Sequence, residues 1–74
     1  MNKQRRHQIG QIMAELDSLA FRIDELKTEE FNAADNIPEN MTERIEAAEA
    51  AMEAMRAAMD AIDEAIEALK EAME

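Results

Sequence analysis

Cysteine, tryptophan and tyrosine are absent from this sequence, and glycine and proline occur once each. Without cysteine there is neither a disulfide staple nor a thiolate metal site, a composition suited to a reducing cytoplasm. The single histidine, His7, cannot build a zinc site. Gly10 is the only glycine, so no glycine-rich loop can cradle a phosphate. Aromatic residues are confined to Phe21 and Phe31, which removes the stacking platforms that single-stranded nucleic acids use. No run approaches the roughly 20 apolar residues of a membrane span. The basic start, Lys3, Arg5 and Arg6, is not followed by the apolar stretch of a signal peptide. The chain therefore reads as soluble, unprocessed and cytoplasmic.

Positive charge is scarce too: 8 Lys and Arg stand against 18 Asp and Glu, a formal charge of -10. A field of that sign repels phosphate and anionic lipid, so neither direct nucleic-acid binding nor membrane binding is expected. The 74 residues hold one domain, 1–74, which buries too small a fraction of its surface to be comfortably stable alone.

What the sequence has in abundance is helical periodicity. Ile9, Ile12, Leu16, Leu19, Ile23 and Leu26 alternate steps of three and four, which keeps them on one stripe of a first helix. With Ile9 as heptad position a, Met13 and Ala20 fall at e and widen the stripe, while Gln8, Glu15, Arg22 and Glu29 occupy g. Gly10 costs about 1 kcal/mol in this helix without ending it. A longer unbroken series follows in Met41, Ile45, Ala48, Met52, Met55, Met59, Ile62, Ile66, Leu69 and Met73. There alanine holds g (Ala51, Ala58, Ala65, Ala72) and c (Ala47, Ala54, Ala61, Ala68). An acid holds every b, at Glu46, Glu53, Asp60, Glu67 and Glu74.

Asp35, Asn36 and the Ile37-Pro38 pair interrupt the pattern, because proline disfavours helical geometry in the residue before it. The spacing predicts helix one over about residues 3–33, a turn over about 34–40 and helix two over about 41–73. Asn40 with Glu43 three residues on reads as an N-cap and its reciprocal acid, and Pro38 in the first turn of a slightly earlier helix is the other option. So short a connection makes an all-α, antiparallel two-helix coiled-coil hairpin. Matching the chain ends puts Ile9 against Leu69, Ile12 against Ile66, Leu19 against Met59 and Leu26 against Met52, with Lys27 near Glu49. A slip of one heptad would instead set Leu26 opposite Ile45.

Carboxylate pairs such as Asp60 with Glu64 and Glu67 with Glu71 stand four apart, as metal ligands can. They lie at outward b and f positions with no Glu-x-x-His element, so they read as a solvated face, and no metal or cofactor is expected. A two-helix hairpin has no cleft in which a general acid or base could be partly dried, which argues against an enzyme. The methionines of helix two sit at strict a and d spacing and read as core rather than as a pliable groove. The alanine rows, Ala58 and Ala65 among them, leave small apolar surface uncovered, although alanine is also simply the best helix former. Phe21 falls at f and Phe31 at b, away from the predicted seam. Phe31 can fold back on Ile37 as a local staple, whereas Phe21 points to an intermolecular contact. Lys3, Arg5 and Arg6 burden the positive end of the helix-one dipole, which predicts a frayed first turn relieved only by Glu67, Glu71 and Glu74 nearby.

The start MNKQRR, the segment ELDSL to IDELKTEEFNAADNIPEN and the acidic heptads ending EAIEALKEAME resemble small hypothetical proteins of bacteriophages and mobile elements of Gram-positive bacteria. The turn carries the resemblance: Glu29, Glu30 and Phe31, then Asp35, Asn36, Ile37, Pro38 and Glu39. No activity is assigned to that group. The resemblance implies a bacterial host and a role as inhibitor of a host defence or DNA-processing protein, with Glu53, Asp60 and Glu67 standing where DNA phosphates would lie. The expected function is thus a non-enzymatic protein-binding module, a homodimer of hairpins forming a four-helix bundle. A scaffolding coiled coil whose activity is self-assembly is the alternative.

Overall fold

A computed structural model describes all of residues 1–74. It contains two α-helices and no strand: α1 spans Lys3–Asp35 and α2 spans Thr42–Met73, packed side by side and antiparallel. Each is about 50 Å long at 1.5 Å per residue, which accounts for a rod of 59 × 15 × 10 Å. Its radius of gyration, 17.1 Å, compares with about 11 Å for a compact domain of this length.

Both helix starts depart from the expected capping. The side chain of Asn2 accepts a hydrogen bond from the Arg5 backbone N–H at 2.8 Å, so α1 is capped at its basic first turn rather than left to fray. No ion pair joins that turn to Glu67, Glu71 or Glu74. The start of α2 lies at Thr42, with Met41 rather than Asn40 as the N-cap residue and no side-chain cap bond. The physical reason is a tight turn: the Met41 N–H donates to the Pro38 carbonyl at 2.9 Å, and the Met41 carbonyl then accepts from Arg44 and Ile45, each at 3.1 Å. Glu43 is left in the first turn, where it favours the positive end of the dipole.

Helix α1 runs to Asp35, a little past the expected boundary, and is closed by Asn36. Its backbone N–H donates to Ala33, and its side-chain amide donates to the Asn32 carbonyl at 3.0 Å. The Ile37 N–H donates to Ala34 at 3.0 Å. Beyond Pro38 the chain has reversed direction. At this end Glu30, Ala33, Ala34 and Ile37 share a shallow cleft with Arg44, Ala47 and Ala48. Glu30 beside Ala48 fits the end-matched register, whereas the one-heptad slip would have set Glu30 opposite Met41.

The seam uses the two helices unequally. On α2 the half-buried residues are the predicted a and d series, Ile45 through Met73, and Ala48 at 4% exposure is the one buried residue of the protein. On α1 they are Ile9, Met13, Leu16, Ala20, Ile23, Lys27, Glu30 and Ala34. That series is a and e, not a and d. The expected layers through Ile12, Leu19 and Leu26 therefore do not form: these three remain 47%, 45% and 56% exposed.

At the turn the Ile37 N–H donates to the Ala34 carbonyl, and Ala34 is half-buried while its neighbour Ala33 is exposed. A 3.6-residue helix carries that orientation up its length. Lys27 consequently lies in the seam, its aliphatic stem covering apolar surface. The expected Lys27–Glu49 pair is not made, and the one ion pair present joins Lys70 to Glu67 at 3.2 Å. An exposed pair of that kind contributes about 0–1 kcal/mol, too little to redirect either side chain.

Candidate functional site

The rotation of α1 decides which surface is left without a partner. Around either helix the heptad rows follow in the order g, d, a, e, b, f, c. Two antiparallel neighbours are related by a half-turn about the normal to their common plane, so equivalent flanks emerge on the same broad face. The d row of α1 (Ile12, Leu19, Leu26, Ala33) thus lies alongside the g row of α2 (Ala51, Ala58, Ala65, Ala72), and both rows are exposed. Ala47, Ala54, Ala61 and Ala68 extend the apolar strip round α2, and Glu15, Arg22 and Glu29 border it along α1. Repeating every seven residues, or about 10.5 Å, large aliphatics run parallel to a row of methyl groups.

The opposite face is charged. It carries Asp17, Asp24, Glu49, Arg56, Asp63 and Lys70, all exposed. Phe21 and Phe31 are on this side, 65% and 60% exposed. Phe31, expected as a local staple against Ile37, keeps most of its ring surface exposed at its b position, while Ile37 is half-buried. Glu53, Asp60 and Glu67 are exposed along the outer flank of α2, and Glu67 is engaged by Lys70.

The predicted contact residues accordingly divide. Ala58 and Ala65 share the apolar face, Phe21 and Phe31 the charged one, and Glu53, Asp60 and Glu67 form neither a pocket nor a cluster with the phenylalanines. Reading the sequence as an a/d stripe assigned Ile12, Leu19 and Leu26 to the core and so missed them as surface. The signal available was the extra width of the α1 stripe, three rows where a single neighbour covers two.

The remaining concave features are shallow and near the turn: the cleft at Glu30 and Ala48, and a depression over Asn40 to Arg44. No three His, Asp or Glu side chains converge as a metal-binding set. No helix is long and apolar enough to cross a membrane.

Among protein families, the model of the E2 domain of amyloid precursor protein matches the chain over residues 1–71. No curated protein and no solved structure gives a significant match. The match corrects the resemblance to proteins of bacteriophages and mobile elements, since the matching family is eukaryotic. The bacterial setting and the role against host defence, which that resemblance alone implied, are left without its support. The resemblance rested on a turn whose Asp, Asn and Pro residues are those any helix-breaking connection favours, whereas the family match runs nearly end to end.

Proposed function

The chain belongs to the family of the E2 domain of amyloid precursor protein, and we propose that it is a non-enzymatic protein-binding module whose working surface is the apolar face of the hairpin. The exposure of Ile12, Leu19 and Leu26 in one line beside an alanine row carries this reading. Large aliphatics in such a line are what an amphipathic helix offers to a partner helix. The hairpin has also almost no core of its own, so it stands to gain from an added layer. A rod 10 to 15 Å thick is too thin to enclose a substrate, which supports binding over catalysis.

Phe21 and Phe31 provide a second apolar contact on the charged side, suited to a partner that approaches with basic residues. Glu53, Asp60 and Glu67 serve solubility in this reading. A scaffolding role in which self-assembly is the whole activity is favoured by one observation, the shared seven-residue repeat of both exposed rows.

A photo-crosslinking amino acid at Leu19, compared with the same group at Asp60 in cells that express the protein, tests the proposal. Adducts of protein mass at Leu19 and not at Asp60 are expected. Absence of any protein adduct at Leu19 would refute a protein-binding function for this face.

A further inference from the structure

We propose that the exposed phenylalanine stripe of α1 is a docking surface for a basic helix of another protein, whose arginine or lysine side chains stack on Phe21 and Phe31 and pair with the aspartates beside them. This inference rests on the protein-binding reading and assigns a partner chemistry to the face opposite the apolar one.

Asp17, Phe21, Asp24, Thr28, Phe31 and Asp35 follow one another in steps of four and three, so they run as one stripe along α1. All six are exposed, and the stripe is about 27 Å long. It holds both aromatic residues of the chain, at 65% and 60% exposure. Unlike Ile12, Leu19 and Leu26, these rings do not stand in an apolar row. Each has a carboxylate one helical turn away: Asp17 and Asp24 flank Phe21, and Asp35 follows Phe31.

None of these aspartates takes part in an ion pair. The cations that could serve them are placed elsewhere: Lys27 is half-buried in the seam, Arg22 borders the apolar face, and Lys70 is engaged by Glu67. Along the neighbouring e row of α2, Glu49 and Asp63 add carboxylates, and Arg56 is the one exposed cation left without a partner. Negative charge on this face is thus in excess and largely uncompensated.

A cation arriving at the stripe meets two favourable groups at once. The face of a phenylalanine ring is the negative side of its quadrupole and attracts a guanidinium or ammonium group above it. The adjacent carboxylate accepts hydrogen bonds from the same cation, a geometry best suited to the planar fork of arginine. Asp17 and Asp24 are seven residues apart, about 10.5 Å, which matches arginines one heptad apart on a partner helix. An uncharged apolar helix would desolvate the same carboxylates without pairing them. Phosphate groups of lipid or nucleic acid are repelled.

Fluorescence anisotropy tests this with the full chain and a labelled three-heptad peptide of alanine and leucine that carries arginines on both sides of its leucine stripe. Binding is expected, is weaker at about 0.3 M than at about 0.05 M salt, and is absent when glutamate replaces every arginine of the peptide. Phe21→Leu, which keeps apolar area but removes the ring, and Asp24→Asn should each weaken binding about threefold or more. Phe21→Tyr should bind as wild type. Glu53→Gln and Glu64→Gln, on the outer flank of α2, should change affinity by less than about twofold, with helicity of every variant checked by circular dichroism. No binding up to millimolar peptide would overturn the inference. So would an unchanged affinity in Phe21→Leu, or equal losses in Asp24→Asn, Glu53→Gln and Glu64→Gln, which would mark attraction to bulk charge. Failure of the peptide to bind while Leu19 adducts still form would overturn this inference alone. Specific binding where Leu19 gives no adduct would support it and refute the apolar-face reading.

Discussion

Met13 is half-buried against α2 while its neighbour Ile12 is turned to solvent, although isoleucine is the more apolar of the two. The pair fixes the azimuth of α1 and divides its apolar residues into those that hold the hairpin and those available to another molecule. Substitutions at the two positions should therefore have separable consequences. Met13→Ala is expected to lower the stability of the hairpin by about 1–2 kcal/mol, less than a fully buried methionine would cost because the site is half exposed. Ile12→Ser should alter it by no more than about 0.5 kcal/mol. Urea denaturation at low micromolar concentration, where association contributes least, gives the comparison. Equal losses at both sites would mean that Ile12 enters the seam.

Removal of the Asn2 cap has a local signature. The Arg5 N–H loses its acceptor in Asn2→Ala, at an expected cost of about 1 kcal/mol, whereas Asn2→Gly should cost only a few tenths. Hydrogen exchange would show the loss confined to the first turns of α1, with protection around Ala48 unchanged.

Gly10 offers a gain. A methyl group built there meets nothing within 4 Å and the backbone is ordinary helix. Gly10→Ala should raise stability by about 0.5–1 kcal/mol by lowering the entropy of the unfolded chain and improving helix propensity. The change is seen as an upward shift of the thermal midpoint with helicity retained.

Salt should stabilise rather than weaken this protein. The formal charge of -10 is accompanied by a single ion pair, Lys70–Glu67, so like-charge repulsion between two acidic helices outweighs attraction. Shortening the screening length from about 30 Å at 0.01 M to about 8 Å at 0.15 M salt relieves that repulsion. The melting temperature is expected to rise across this range. A fall would indicate that favourable pairs dominate in solution.

Much of the architecture was legible in the residues themselves. The unbroken four-three alternation from Met41 to Met73 specified α2 and its buried stripe, since only one face of a helix keeps that spacing. Ile37-Pro38 located the reversal, because the residue before proline leaves helical geometry. Capping was less legible: Asn40 was the better cap by residue type, but the Pro38-to-Met41 hydrogen bond displaced the start of α2, and Asn2 escaped notice beside three cations.

The candidate site was visible only in part. Ala58 and Ala65 stood out as an uncovered row of small side chains, while Ile12, Leu19 and Leu26 were indistinguishable from core residues by spacing alone. The sequence by itself determined two helices, their hairpin connection and an α1 stripe three rows wide. Only tertiary structure decided which two rows of that stripe face α2. A helix can rotate about its axis at little local cost, so only packing against α2 selects the rows, which leaves Ala34 half-buried, Ala33 exposed and the d row carried outward.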